Sequence, residues 1–531
     1  MSQVDASLSL ANPSPRHLNT PQKVFLGFVG VGVTMIFLAL FGGAAGREAL
    51  FMWTIIGSFA IGGIGYAWSI YKDEAAGIKN NWTWFFSESN RGTLGWILGV
   101  AFTAFYIALY WFPAWLGLNP GQANTGLIAV FDPLSMMLSG NPASQWFVYG
   151  TFYTLAILVM GIKFIWKYRH SAYHVLRTVS IMFFQTAFAF LIPEFMARLN
   201  HNPEVQATGA SIPYYDLKNM WPLNYYNFDD YRVNSMIDPE LNSLTGNLGF
   251  IMLIIGVASV FVISPILTYF FGKRWYCSWV CGCGGLAETA GDSFRHLSDK
   301  SVKAWKVERW LIHSVLVAVM VMTIAVVYNY LFKQGQNFWI NHEVFSMGVA
   351  ALMIGLTVLI WIRPKLFGTV SQDIKIIASG LMVAIAGFTM FSWLTGAERV
   401  FFMEPYALKK NYGFFIGAMF SGVIGVGFYP LMGSRVWCRF GCPMAAILGL
   451  QQRFFSRFRI TTNGGQCISC GNCSTYCEMG IDVRAYAQRG QNIVRASCVG
   501  CGVCAAVCPR GVLSLENGPN TGNSRMEESR Y

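Results

Sequence analysis

Cys467-Ile-Ser-Cys470-Gly-Asn-Cys473-Ser-Thr-Tyr-Cys477 and, 31 residues on, Cys498-Val-Gly-Cys501-Gly-Val-Cys504-Ala-Ala-Val-Cys508-Pro509 are two C-x2-C-x2-C-x3-C runs. In such a run three closely spaced thiolates wrap one iron–sulfur cube, and the fourth reaches the neighbouring cube. The spacing assigns Cys467, Cys470, Cys473 and Cys508 to one [4Fe-4S] cluster, and Cys498, Cys501, Cys504 and Cys477 to a second. Gly471, Gly500, Gly502, Ala505 and Ala506 let backbone N–H groups approach the sulfides. Paired C-x2-C motifs also hold zinc, but two complete four-cysteine runs and the Cys508-Pro509 ending favour iron. Glu478 stands where proline is expected after Cys477, a negative charge that should lower the potential of its cluster.

Upstream of Thr461-Thr462-Asn463-Gly464-Gly465 the composition changes character. The 531 residues are 54% apolar and 12% charged, where soluble proteins carry about 25% charge. A soluble enzyme and a disordered regulator are both excluded. A membrane span needs about 20 mostly apolar residues. Ten such runs lie at about 24–44, 50–70, 94–118, 147–167, 177–197, 247–271, 310–332, 345–362, 376–395 and 413–432. The expected fold is an α-helical integral membrane protein of about ten transmembrane helices with a C-terminal α+β two-cluster bacterial-ferredoxin-like domain. Its segments are a cytoplasmic N-terminal tail (1–23), a five-span region with external loop 198–246 (24–246), a second five-span core (247–465), the cluster domain (466–515) and a polar tail (516–531). The tail has three prolines and no small-residue cleavage site, so the first span reads as a retained anchor.

With the N-terminus cytoplasmic, the inside segments before the C-terminal domain, with their span ends, carry 24 Lys and Arg against 8 outside. That positive-inside bias puts both termini on the cytoplasmic side of the membrane. It also accounts for the net charge of +12 without a nucleic-acid partner. All 13 cysteines then lie on the cytoplasmic side, where disulfides do not persist, so clustered thiols read as metal ligands.

The remaining cysteines form an internal repeat 161 residues apart. Gly272-Lys-Arg274-Trp-Tyr276-Cys277-Ser-Trp-Val-Cys281 aligns with Gly433-Ser-Arg435-Val-Trp437-Cys438-Arg-Phe-Gly-Cys442-Pro443. Each copy follows a span, with Arg three residues before the first cysteine and an aromatic one before it. On a helix, i and i+4 share a face, so each pair would present two thiols to one side. Packed about a pseudo-twofold axis, Cys277, Cys281, Cys438 and Cys442 would hold a third iron–sulfur cluster at the membrane edge, with Cys283 an alternative ligand. The bland alternative is reduced structural cysteines beside an aromatic belt.

Two C-x3-C motifs at span ends, followed by a two-cluster ferredoxin, resemble the NosR/NapH/CcoG group of membrane polyferredoxins over about 247–515. The resemblance implies electron transfer at the bacterial inner membrane, serving periplasmic reductases or copper-related oxidase assembly. Gly282 departs from the proline usual in the group's first motif. The external flavin domain of NosR-like members and its attachment motif are not found. The 16 residues after 515 hold no immunoglobulin-like domain of the CcoG type.

Other features carry weaker signals. His170 and His174 sit among Lys167, Arg169 and Arg177 and read as a solvated face. His313 lies near an inner span end, and His201 and His342 are external. Haem and covalent flavin are both disfavoured. Glu194, near the outer end of the fifth span, reads as a headgroup-level residue, with a quinol-proton role the alternative. External Tyr214, Tyr215, Asp216, Trp221, Tyr225, Tyr226, Asp229, Asp230 and Tyr231 suggest an interfacial lid or a dock for a periplasmic cytochrome or cupredoxin. Residues 125–140, with Asp132-Pro133, suggest a short re-entrant or interfacial helix, and the Gly27–Gly32 and Gly422–Gly427 stretches suggest close helix packing. No acid–base or nucleophilic constellation is visible, so no catalytic residues are assigned. The expected function is electron transfer between the ferredoxin module and a quinone pool or redox partner subunit. The alternatives are a copper reductase and assembly factor using Cys281 and Cys283, and a wiring subunit of a larger complex.

Overall fold

Eight helices in the computed structural model are long and apolar enough to cross a membrane: Thr20–Leu40, Glu48–Tyr71, Gln145–Lys167, Ala172–His201, Leu248–Phe271, Val302–Gln334, His342–Ile362 and Gln372–Leu394. The structure describes residues 18–73, 92–207, 212–217, 230–335, 340–363 and 370–518. Most of both terminal tails, and Trp221, Tyr225, Tyr226 and Asp229, lie outside them. The helices start where the chain supplies caps. Asn19 and Gln22 form a reciprocal capping box ahead of Thr20–Leu40, Ser144 caps Gln145–Lys167 and Asn341 caps His342–Ile362.

Two of the ten expected spans take other forms. The third is the helix Thr93–Trp111 and not 94–118. Phe112 precedes Pro113, which drives it out of the helical region. The tenth is wound as a π-helix over Gly413–Ile424, then turns before the short helix Tyr429–Met432. Five glycines between 413 and 427 weaken its α-helical preference. One of them, Gly422, has a packing role: a Cβ there would stand 2.8 Å from the Tyr110 ring and 2.9 Å from that of Tyr106.

The chain forms two compact units. One comprises 210–263 and 313–417. Its core joins Ile324, Ala350, Met353, Ile385 and Ala386. Tyr214 and Tyr215 are buried there, and the Tyr214 hydroxyl meets the Thr245 hydroxyl at 2.7 Å. These two aromatics of the 198–246 segment therefore pack inward.

The other unit comprises 1–209, 264–312 and 418–531, and holds every cysteine. Residues 125–140 form two short helices, Gly126–Val130 and Asp132–Ser139, with Ile128, Val130 and Phe131 fully buried. Asp132 accepts from Asn124 (2.8 Å) and from the Ala143 N–H (2.7 Å), which fixes the turn. Glu194 is buried inside this unit and does not sit at an exposed helix end. The C-terminal module closes on an antiparallel strand pair, Arg459–Thr462 with Leu513–Glu516, in the register Ile460↔Leu515.

Candidate functional site

The two cysteine runs share one backbone course. Ser469 (φ 58°) and Gly500 (φ 67°), before the second cysteine of each run, are both left-handed. So are Gly471 and Gly502, each opening a one-turn helix (Asn472–Thr475 and Val503–Ala506), and Gly480 and Gly511 after the fourth cysteine. Each pair is 31 residues apart, so the repeat extends from spacing into conformation.

Two cavities lie between the runs. Cys467, Cys470, Cys473 and Cys508 line one of about 360 Å³, with Ile468, Arg484 and Arg510 at its wall. Cys477, Cys498, Cys501 and Cys504 line the other, of about 380 Å³, walled by Ile460, Met479, Ile481, Val483 and Ile493. The structure thus brings together the same two crossed sets of four that the spacing names. The first cavity is open: Ile468 is 54% exposed, and Ser469, Arg484 and Arg510 are exposed. Every residue lining the second is buried or half-buried.

Four consecutive carbonyls of the second run are tied to the helical part of the unit. Gln452 donates to Cys498 O (2.9 Å), Ser278 to Val499 O (3.0 Å), Tyr173 to Gly500 O (2.9 Å) and Arg177 to Cys501 O (2.5 Å). On the sulfur side, the Gly500 N–H donates to Cys498, and the Met479 and Ile481 N–H groups to Cys477.

The membrane-edge repeat is equally clear in the backbone. Gly272 (φ 65°) and Gly433 (φ 94°) each end the preceding helix in a conformation that a side chain would strain. A Cβ on Gly433 would also stand 2.3 Å from Ser298 Oγ. Cys277 closes the short helix Arg274–Cys277, and Cys438 lies in Val436–Phe440. Cys281 and Cys442 are not on those helices. Each is the extended N-cap of the next one, Gly282–Thr289 or Pro443–Phe455. The expected shared face of one helix is therefore a tight turn between two. Its bonds repeat in both copies: Cys281 N–H to Tyr276 O (2.8 Å), and Cys442 N–H to Trp437 O (3.0 Å). Gly282 and Pro443 occupy the same first helical position, so the departure from proline leaves the turn intact. The helix N-termini face the sulfurs: the Ala445 N–H is 3.4 Å from Cys442 Sγ, and the Cys283 and Gly284 N–H groups donate to Cys281.

The two copies meet. Arg435 Nη1 donates to Cys277 O at 3.1 Å and lies 4.0 Å from Cys438 Sγ. Cys277, Cys281, Cys438 and Cys442 lie within electrostatic reach of one another, and Cys283 adjoins Cys281. Cys283 also lies within reach of four tyrosines, the buried Tyr106 and Tyr429 and the half-buried Tyr149 and Tyr153.

A buried ionic network joins this site to the enclosed cavity, and the sequence did not announce it. Glu288 pairs with Arg177 (2.5 Å), Arg435 (2.8 Å) and Arg295. Asp292 pairs with Lys167 (2.6 Å) and Arg295 (2.8 Å), and Glu478 with Arg295 and Arg435, both at 2.9 Å. Every one of these side chains is at most 2% exposed. Lys167, His174 and Arg177 are therefore not the solvated basic face the sequence suggested. Carboxylates more than a hundred residues later draw two of them inward, and His174 packs on Tyr168 while bonding Ser171 (2.8 Å). Burial raises Glu288, but Arg177, Arg295 and Arg435 outweigh it and hold its carboxyl well below the usual range. Burial raises Glu478 despite Arg295 and Arg435. With two guanidiniums against it, Glu478 does not act as the isolated negative charge expected from the sequence.

These surroundings fit iron–sulfur clusters. Burial pushes Cys277 and Cys473 up to about 12 and Cys498 to about 11, so free thiolates there would be costly, whereas a metal holds the sulfur deprotonated. The network sets four cations, Lys167, Arg177, Arg295 and Arg435, against three carboxylates. An excess buried cation calls for an anion beside it, and a thiolate-ligated cluster is one. Tetrahedral zinc would draw four sulfurs to about 3.8 Å apart. Among the described residues only Glu288, Glu478 and Cys501 place three ligand atoms within 4.8 Å of one another.

The class of protein follows: a multi-pass membrane protein with iron–sulfur binding domains, of the electron-transport kind. Residues 466–513 match the 4Fe-4S dicluster domain family. Residues 250–303 and 413–461 each match the 4Fe-4S binding domain family, one match on each copy of the membrane-edge repeat. No curated protein and no solved structure matches the chain.

Proposed function

We propose that this chain conducts single electrons between a soluble carrier and a membrane partner, using three iron–sulfur sites ordered by their access to water. The observation that carries it is the difference between the two ferredoxin cavities. The Cys467/Cys470/Cys473/Cys508 cavity is rimmed by exposed residues, while the Cys477/Cys498/Cys501/Cys504 cavity is lined by buried and half-buried ones and clamped to the helical part of the unit. Ser278 continues the path inward: its hydroxyl bonds Val499 O next to Cys498, and its own neighbour is Cys277. Cys277, Cys281, Cys438 and Cys442 are the ligands proposed for the third site. The clusters supply the one-electron chemistry; the residues supply spacing, charge compensation and exclusion of water.

The reading places both termini in the cytoplasm of a bacterial inner membrane and the protein near the NosR/NapH/CcoG group. A quinone or a partner subunit then exchanges electrons with the membrane-edge site. Supporting this are the positive-inside bias and the tyrosine hydroxyls near Cys283. A second reading, a copper-handling assembly factor, is favoured by the adjoining soft ligands Cys281 and Cys283.

Anaerobic purification with iron, sulfide and copper counting tests the proposal. About twelve irons are expected if the third site is a cubane, falling by about four in Cys438→Ser. Eight irons, unchanged in Cys277→Ser and Cys438→Ser, would overturn the third site. Stoichiometric copper lost in Cys283→Ser would favour the second reading.

A further inference from the structure

We infer that the mouth of the open cavity is the docking face for a small acidic one-electron carrier protein. The inference rests on the proposed reading of Cys467, Cys470, Cys473 and Cys508 as cluster ligands. The charged side chains lining this cavity are Arg484 and Arg510, and both are exposed. In the same lining the loop Cys467-Ile468-Ser469-Cys470 carries an isoleucine that is 54% exposed. The nearby Asp482 accepts from Ser474 Oγ at 2.7 Å, which turns it toward its own loop. A greasy tip flanked by guanidiniums, directly over the cluster ligands, suits a short-lived redox encounter. Such interfaces are small and gain speed from opposite charge, not from buried area. Arginine forks also match carboxylates in pairs. The enclosed cavity has no charged side chain facing water, so a soluble carrier gains nothing there.

The exchange moves one electron from the reduced carrier to the protein, or the reverse; no bond forms and no proton is required. The carrier is recognised by surface carboxylates around its own exposed redox group, as in a small acidic ferredoxin or flavodoxin.

The test uses the full chain in nanodiscs, an acidic ferredoxin, a basic one-electron carrier for comparison, and the variant Arg484→Glu/Arg510→Glu. For the wild type, the acidic ferredoxin should bind and donate faster than the basic carrier, with both properties falling as salt rises. The double variant should lose at least about tenfold in binding and bimolecular rate at low salt, and should prefer the basic carrier. Its iron content should match the wild type, and because the new carboxylates line the cluster cavity and lower its potential, rates are compared at matched driving force after redox titration of each protein. Equal rates for wild type and variant, or no preference for the acidic carrier, would overturn the inference. So would a rate set by the anionic lipid fraction of the nanodisc and not by Arg484 and Arg510, which would place this face on the bilayer. If Cys467→Ser leaves the iron count untouched, the ligand assignment has failed instead, and the iron measurement alone shows it.

Discussion

The two cysteine runs have the same spacing, the same left-handed turns and the same one-turn helix, yet opposite surroundings. Around 467–473 the surroundings are an exposed isoleucine and two exposed arginines. Around 498–504 every carbonyl from Cys498 to Cys501 is held by a side chain from another segment, and one of those side chains, Arg177, is locked in a buried network. A duplicated fold has thus been given two environments, and environment sets access and potential for a cluster. The lesson is that ligand spacing fixes the site while remote side chains fix its job.

The hardest way to break this difference is to remove the charge behind the enclosed run. Arg435→Ala would take one of three guanidiniums from Glu288 and one of two from Glu478 in a fully buried site, and would leave a hole between the two cysteine pairs. Breaking such a pair costs about 3–5 kcal/mol, so folded yield should collapse or the melting temperature fall steeply. Arg484→Ala on the open side should change stability by less than about 0.5 kcal/mol. Thermal melts of the two variants under one set of conditions compare the two environments directly. Equal effects would mean the network is not structural.

A kinetic version needs no substitution. A water-soluble iron chelator should strip the open site at least about tenfold faster than the others, because the surrounding shell controls access. The fast phase should be missing from Cys467→Ser and retained in Cys498→Ser. A single phase for all the iron would remove the distinction drawn here.

Acid probes the same network more gently. Burial would raise Asp292, but Lys167 and Arg295 outweigh it and hold it low, as the arginines do Glu288. Carboxyls depressed in the folded state give stability that is complete above their unfolded value, about pH 4–4.5, and lost as pH falls through the lower folded value. Glu478, raised by burial, acts in the opposite sense and offsets part of the loss. Melting temperature should therefore hold from pH 7 to about pH 5 and fall below pH 4. A decline already under way at pH 6 would point to His174 instead.

Much of this architecture could be read before any coordinates. Cysteine spacing named two crossed ligand sets, because each run is local and its geometry repeats. The long apolar runs marked eight helices, and the Arg–aromatic–Cys preface marked the two membrane-edge copies. What stayed hidden depends on distance along the chain. Nothing local to Lys167 or Arg177 says that Glu288 and Asp292 will meet them, so a basic stretch looked solvated. Glu288, Asp292 and Arg295 give one usable local signal, three charges within twelve residues of Cys283 in a glycine- and alanine-rich stretch. Glu478 was noticed, but its sign of action could not be judged without Arg295 and Arg435. The turn between Cys277 and Cys281 is not legible from spacing, because i,i+4 fits one helix and a helix-to-N-cap junction equally well.

The finest contrast lies at one equivalent backbone position. Ser469 and Gly500 are both left-handed, at φ 58° and 67°, but only one is glycine. A left-handed residue with a side chain costs roughly 1–2 kcal/mol, and glycine gives back about half of that through greater freedom in the unfolded chain. Ser469→Gly should therefore stabilise the module by up to about 1 kcal/mol. The gain shrinks because the hydroxyl of Ser469 also accepts from Gln488. The reciprocal change is not symmetric. A Cβ on Gly500 would stand 2.7 Å from Arg274 Cβ and 2.9 Å from Phe458 Cζ, so Gly500→Ser must displace the cation–π contact between Arg274 and Phe458. Thermal melts of both variants decide the point. The glycine should raise the melting temperature slightly and the serine lower it more. Equal and opposite shifts would show that backbone strain alone, and not the packed surroundings of the enclosed run, distinguishes the two positions.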